Sequence, residues 1–397
     1  MSELRTLRSL TRDGRLILLS RSLRLFAFGA LSVILVLYFS SLGWSTSRIG
    51  RVLSLTMIGD AVVTLAVTFH ADRIGRRRML QFGALLMVLV GVLLPLTTNV
   101  WIIAPIAFFG AISLNGGEVG PFLAIEQAAL THSLGGAANR TTAIAWYVLF
   151  GALSTALGAL ASGFGSYRVI FAIYAACGGL LFAIFSRLSR GIEPVPNESI
   201  APRFGLHESR GIVLRLAGLF MLDTFASGLA VQSFLAYWLH RRFGADTAAI
   251  GGIFFGFNLL AAFSALAAGR IAARIGLINT MVWTHIPANL LLISLPLMPS
   301  LPFAIAVILL RGCLSQMDVP ARQSYLMAVV DPGERSAAGG VAGLAKSLAS
   351  AISPPITGAL FAAGWLSAPL FAAGALKIIY DLVLWRGFRR VRPPEEE

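Results

Sequence analysis

Several ionisable side chains stand inside long apolar runs, where each needs a partner or a task. They are Asp60, Asp223, Arg311, Lys346, Lys377 and Asp381. A bare charge in hydrocarbon costs roughly 2.5–3.5 kcal/mol on insertion scales. A carboxylate escapes that cost by taking up a proton, so a buried acid is a natural site of proton exchange. Asp223 is the first candidate for that exchange. Asp60 reads either as a second protonation or cavity-lining site, or as a structural hydrogen bond to a neighbouring helix. Arg311 cannot neutralise itself and must pair with an acid or receive an anionic group. Lys346 can lose its proton when buried, so it reads as a switch, a substrate contact or half of an ion pair. Lys377 and Asp381 are four apart and read as a self-paired structural couple.

Neutral polar and aromatic side chains add weaker signals. Gln232 and Tyr237 follow Asp223 in the same run, about four helical turns covering all three. Asn258 would hydrogen-bond across helices or line a cavity. Trp146, Tyr147 and Phe150 would touch an apolar substrate or pack against neighbours. His285, Pro287 and Asn289 interrupt another run, and His285 reads as a packing histidine that is also able to titrate.

The elements that must carry these groups are membrane helices. Hydrophobic residues make up 57% of the 397-residue chain and charged residues 13%, about half the charge of a soluble domain. The apolar runs suffice to cross a hydrocarbon core of about 30 Å as helix. Short alternating strands of a membrane barrel are absent from the pattern. Spans are expected near 25–44, 48–70, 79–97, 100–121, 141–164, 168–187, 212–237, 247–268, 279–298, 301–319, 336–362 and 367–386. Segment 121–132 is expected to continue the fourth span as a polar helical end. Residues 1–24 read as a basic cytoplasmic tail with no cleavable signal, and 388–397 as a second tail.

The net charge of +14 is arginine-dominated, since Lys346 and Lys377 are the only lysines. The arginines fall in short loops between apolar runs, without exposed aromatics among them. That is the positive-inside pattern rather than a nucleic-acid surface, and it puts both termini in the cytoplasm. Cys177 and Cys313 have no metal-type spacing and read as small apolar packing residues.

The polar stretch 188–211 separates two apolar halves, 25–187 and 212–387, and reads as a cytoplasmic linker. The halves echo one another. Asp72-Arg73-Ile74-Gly75 aligns with Ala273-Arg274-Ile275-Gly276, Glu118-Val119 with Asp318-Val319, and Arg140-Thr141-Thr142-Ala143 with Arg335-Ser336-Ala337-Ala338. Such duplication is typical of transporters, with the site between the repeats.

On these residues the chain resembles the major facilitator superfamily along nearly its whole length. The superfamily's loop signature, Gly-x-x-x-Asp-(Arg/Lys)-x-Gly-(Arg/Lys)-(Arg/Lys), is matched by Asp72, Arg73, Gly75, Arg76 and Arg77, with Thr68 in place of the first glycine. The second copy keeps Gly269 and replaces the acid with Ala273. A drug/proton antiporter subgroup has a glycine-rich fifth helix with a Gly-Pro pair. Here Gly151, Gly158, Gly163 and Gly165 have no proline, and Pro354 and Pro355 fall in the eleventh span. The subgroup's fourth-helix arginine is missing, while Arg311 occupies a comparable place in the second half. The resemblance implies an all-α membrane protein of twelve transmembrane helices in two pseudo-symmetric six-helix bundles.

Glu118 and Glu126 flank Gly120-Pro121, and Asp318 and Arg322 flank Pro320. With Asp72, Arg73, Arg140 and Arg335 they are expected to form a belt of charges on the cytoplasmic side. This belt reads as an inner gate of ion pairs between halves, a role the resemblance also implies. The other reading is static helix-end charges pairing within each half or with helix dipoles.

The function expected is a secondary transporter working by alternating access, proton-coupled and exporting a small organic solute. Its partners are then lipid, solute and protons, it acts as a monomer in a bacterial inner membrane, and it needs no cofactor. Uptake of a metabolite or an organic anion held by Arg311 or Lys346 is the alternative. A membrane enzyme is disfavoured because the polar residues are scattered, without a nucleophile triad or metal-ligand cluster. No phosphate-binding loop for ATP drive is present in the pattern. A sensor that kept the fold and lost transport is the remaining class.

Overall fold

The computed structural model describes residues 10–120, 122–132, 138–193, 207–331 and 333–391. The side chains of 67–73, 131–142, 190 and a few single positions lie outside the described residues, and with them Asp72, Arg73 and Arg140. The described chain is helical and without strands. Its helices are α1 (Arg12–Ser41), α2 (Thr46–Ile74), α3 (Arg76–Leu93), α4 (Val100–Phe109), α5 (Phe122–His132), α6 (Ala138–Ala161) and α7 (Tyr167–Ser186). The second series is α8 (Arg210–Leu229), α9 (Gln232–Phe243), α10 (Thr247–Ile275), α11 (Leu277–Ser294), α12 (Leu301–Gly312), α13 (Asp318–Ala328), α14 (Arg335–Ala362) and α15 (Ala368–Phe388).

The duplication seen as scattered sequence echoes is detailed in three dimensions. Helices α2 and α10 both have 29 residues, and α3 and α11 both have 18. A single 3-10 turn of sequence Leu-Pro-Leu follows α3 and α11 alike. Gly75 links α2 to α3 and Gly276 links α10 to α11, with φ of 104° and 83°. A side chain is strained at such φ, which explains a glycine at this point of the loop motif.

Nine helical segments among the described residues are long and apolar enough to cross a membrane, with α8 and α9 running as one. The expected twelve spans are therefore not all continuous. The fourth span stops at Phe109 and restarts at Phe122, so α5 is a separate helix and not an extension of α4. The tenth breaks likewise between Gly312 and Asp318. Broken helices are tolerated within a membrane protein only where other groups take up the freed backbone. In the first break the Tyr174 hydroxyl donates to the Ala111 carbonyl and Thr155 Oγ1 to the Gly116 carbonyl, while the Gly120 N–H donates to Asp60.

Two compact units divide the chain. Unit 1 comprises residues 1–43, 55–199 and 246–255, and unit 2 comprises 44–54, 200–245 and 256–397. Within unit 1, α1 packs on α6 and α7, and α3 on α7; within unit 2, α8 packs on α14 and α15, and α11 on α15. The α1–α6 seam is close: a Cβ at Gly158 would collide with the Phe26 carbonyl. Small residues permit such backbone approach where no hydrophobic force drives helices together in lipid.

In unit 2, Pro354 and Pro355 sit inside α14. Proline carries no N–H, so Pro355 leaves the carbonyl four residues earlier, Ala351, without its helical donor. The Ser54 hydroxyl donates to that carbonyl. The break after α8 is closed by the same helix: Ser353 Oγ donates to the Phe225 carbonyl at 2.8 Å and Thr357 Oγ1 to the Leu229 carbonyl at 2.9 Å. The paired prolines and the interruption of the seventh span thus belong to one packed seam.

Acids also cap helices at the loop level. Glu193 accepts the N–H groups of Arg76 and Arg77 at the start of α3, at 2.6 and 3.2 Å. Arg76 Nη1 donates to the Ile192 carbonyl and Arg77 to the carbonyls of Ser186 and Leu188, just past α7. The motif arginines therefore hold the end of α7 to the start of α3, with cations placed at a helix C-terminus. In unit 2, Glu334 accepts the N–H groups of His207, Glu208 and Ser209 at 2.7, 3.1 and 3.0 Å, just before α8.

These donors, the His207 N–H foremost, hold the Glu334 carboxyl below the usual glutamate range. A lowered folded value means the contribution is complete above the free value of about 4.3 and is lost as pH falls through the lower folded one. Thermal unfolding of purified Glu334→Gln across acidic pH should show a shallower acid loss than the parent. Identical pH dependence of the two proteins would refute the cap.

Candidate functional site

Arg21 and Arg24 were counted from sequence within a basic tail, yet they lie one turn apart inside α1, and Arg24 is fully buried. They face the broken fourth span. Arg24 grips Glu126 of α5 with two hydrogen bonds, Nη1 to Oε1 at 2.5 Å and Nη2 to Oε2 at 2.9 Å. Its Nη2 also reaches both oxygens of Glu118 at 3.1 Å. Arg21 pairs with Glu118, and its guanidinium lies 3.9 Å from the centre of the Tyr147 ring. Ser20 and Tyr147 complete Glu126 with hydroxyl hydrogen bonds of 2.8 and 2.7 Å. Such two-pronged arginine–carboxylate contacts are the strong geometry for this pair. Tyr147, expected as a substrate aromatic, is fully buried with its hydroxyl on Glu126. Trp146 packs against Phe150, ring centres 5.7 Å apart.

Unit 2 holds the same arrangement with the signs exchanged. The acid, Asp223, is on α8, the counterpart of α1, and the arginine, Arg322, is on α13, the counterpart of α5. Arg322 Nη1 donates to Asp223 Oδ2 at 2.6 Å, and Lys377 Nζ of α15 to Oδ1 at 2.7 Å. Arg322 also lies 3.5 Å from Asp318, one turn earlier on α13. The expected Lys377–Asp381 couple is therefore not formed: Lys377 turns to Asp223 because that acid faces it across the α8–α15 contact. Asp381 instead meets His285 Nδ1 at 2.9 Å and Asn289 Nδ2 at 3.1 Å on α11. His285 is thus bonded to an acid as well as packed, its ring lying edge-on to Tyr380.

The remaining candidates separate from these knots. Asp60 accepts the Gly120 N–H in the first helix break. Gln232 is buried at the start of α9, past the interruption at Ala230–Val231, and therefore not on a continuous helix with Asp223. Asn258 Nδ2 is buried without a hydrogen-bond partner among the described residues. Arg311 makes no ion pair among the described residues; its guanidinium lies 5.7 Å from the Phe257 ring centre and its Nε has no partner. Lys346 likewise has no hydrogen bond or ion pair among the described residues, although it lies within electrostatic reach of Arg322, Asp223 and Asp318. Arg335 is exposed at the start of α14. Glu118, Glu126, Asp318 and Arg322 each find partners inside their own unit. No cluster of metal-binding side chains occurs among the described residues.

Sequence reasoning missed Arg21, Arg24, His285, Asn289, Lys377 and Asp381 as members of these buried polar clusters. A signal existed for the first two: arginines at one-turn spacing running straight into an apolar stretch. For Lys377 and Asp381 the short sequence distance pointed to the wrong partner.

A family model described as the Major Facilitator Superfamily matches residues 17–315 and 216–397. The uncharacterized membrane protein YJR124C of Saccharomyces cerevisiae is 28% identical over 419 residues, covering 94% of this chain and 93% of the yeast protein. Among solved structures, the nucleoside transporter NupG superposes with a TM-score of 0.76 at 13% identity, covering 96% of this chain and 100% of that one. The D-xylose-proton symporter superposes with a TM-score of 0.72 at 14% identity, covering 94% and 97%. These two likenesses show the fold.

The Arg24 knot makes a stability prediction. Arg24→Ala leaves fully buried Glu126 with hydroxyl partners alone and should cost about 3–5 kcal/mol. The double replacement Arg24→Met with Glu126→Met should recover most of the loss, because no buried charge is then stranded. Thermal unfolding in detergent reads both, and a single variant as stable as the parent refutes the assignment.

Proposed function

The chain belongs to the Major Facilitator Superfamily, and on that premise we propose that it is a proton-coupled exporter of a small organic solute, working by alternating access. It is an integral, multi-pass membrane protein of the secondary-transporter kind. The observation that carries the proposal is the duplicated polar knot, one per unit, in which an acid and an arginine join the first helix of a half to its broken fourth span. Polar sites on discontinuous helices are where such transporters gather substrate and coupling ions. The xylose symporter, by its name, couples its sugar to protons, and this supports proton linkage here. Asp223, bonded to two cations, is the residue proposed to respond to the coupling proton. The arginine distribution supports cytoplasmic termini, and a bacterial inner membrane is the proposed location. The working unit is proposed to be the monomer.

A second reading, transport of an organic anion, is favoured by one observation. Arg311 and Lys346 are part-buried basic side chains of the apolar runs in unit 2 with no acid bonded to them among the described residues, and an anionic solute would supply one.

The test is flux in proteoliposomes. Nucleosides, pentoses and organic anions are first screened by thermal shift, and each binder is then assayed under an imposed pH gradient. Gradient-driven movement of one class is expected, with Asp223→Asn losing the gradient response while keeping solute exchange. Binding with no flux would identify a sensor instead, and full gradient-driven transport by Asp223→Asn would remove that residue from coupling.

A further inference from the structure

Each carboxylate of the unit 2 network has an arginine or lysine on it, with the exception of Asp381. Asp223 has Arg322 and Lys377, and Asp318 shares Arg322. Lys377, one turn before Asp381 on α15, is drawn off to Asp223. Asp381 is fully buried, and among the described residues the only ionisable group bonded to it is His285. An isolated carboxylate is expensive in such surroundings and is relieved by a shared proton. Two neighbouring polar atoms, Asn289 Oδ1 and the Tyr380 hydroxyl, are buried without partners among the described residues. Acceptor capacity therefore stands beside the pair for one more proton.

We propose that His285 and Asp381 form a proton-binding site, and that Lys377 is the shared ammonium through which its occupancy reaches Asp223. With the proton bound, the pair is neutral overall and Lys377 stays on Asp223, as observed. With the proton gone, Asp381 is a full anion four residues from Lys377 on one helix face, and the two acids compete for one ammonium. Asp223 is then left to Arg322, and the tie between α8 and α15 loosens. The step is a proton transfer alone: one proton is taken from water and returned to it, with no covalent change. His285 lies within electrostatic reach of Asp223, which couples the two ends directly as well.

The other buried or part-buried titratable and charged groups on the elements around the pair are Lys377 and Tyr380 on α15, Asp223 on α8, Asp318, Arg322 and Tyr325 on α13, Arg311 on α12 and Lys346 on α14, while Arg210, Arg215, Arg335 and Arg386 on the same helices are exposed. Among these, Arg322 and Lys377 are committed to Asp223. The inference deepens the proposed coupling and rests on the transport reading only for its physiological use.

The test needs no substrate. The full chain, purified in detergent, is titrated with a pH indicator in weak buffer and by infrared difference spectroscopy. Trp283 and Trp385, which pack together and flank the pair on α11 and α15, report the change by fluorescence. The parent should take up one proton more than Asp381→Asn as pH is lowered, with the matching fluorescence change lost in the variant. His285→Gln, which keeps a polar side chain of similar reach, should lose the same step, so the proposal remains testable if one variant does not fold. Asp223→Asn should displace the step, because it releases Lys377. Parent and both pair variants with identical proton uptake would overturn the proposal, as would a step that Asp223→Asn leaves in place. If the step is present and no solute moves in proteoliposomes, the proton site stands and the transport reading fails. If solute flux follows a pH gradient and the step is missing, the reverse holds.

Discussion

A charge placed between apolar helices has no water to turn to, so it must be met by an opposite charge or carry a proton. Most of what is distinctive here follows from that constraint. Arg24 is completely enclosed and is answered by two glutamates from a broken span. Asp223 is answered by an arginine from the corresponding broken span and by a lysine from the last helix. The removal of one member of such a knot is costly because the other stays behind in the interior. The same logic governs the backbone: the interruptions after α4 and after α8 are accompanied by hydroxyl or carboxylate side chains that take up backbone amide groups.

The two units preserve a position while exchanging its sign. In unit 1 the first helix supplies the cations and the broken fourth span the acids. In unit 2 the first helix supplies the acid and the broken fourth span the arginine. The contact keeps an ion pair in both units while its members change places, and attraction depends only on the product of the charges. Unit 2 adds a further acid, Asp381, on its last helix with histidine and asparagine as partners, for which no equivalent is described in unit 1.

The reading from sequence recovered the helical membrane class, the duplicated halves, and most of the charged residues that the structure joins. Asp223 stands out in the sequence because charge in an apolar run is conspicuous, and Glu118, Glu126, Asp318 and Arg322 because they flank prolines at the ends of spans. Their pairing was less legible. Lys377 and Asp381 are the plainest case: spacing along a helix proposes a contact, and a stronger partner on the facing helix takes it away. Arg21 and Arg24 were assigned to a tail because arginines at the start of a span ordinarily sit in water, and only the position of α5 shows that they do not. The breaks of the fourth and tenth spans were also missed, since apolar composition continues across them and marks burial rather than continuity of hydrogen bonding.

Hydropathy, arginine placement and the repeated loop glycine are properties of short stretches of chain, and lipid acts on each stretch separately. Those properties by themselves determined that the polypeptide threads a bilayer in two related halves. Which acid meets which base was decided by tertiary structure alone. Partners such as Arg24 and Glu126, or Asp223 and Lys377, are about a hundred or more residues apart in sequence, and electrostatic energy depends on distance in space.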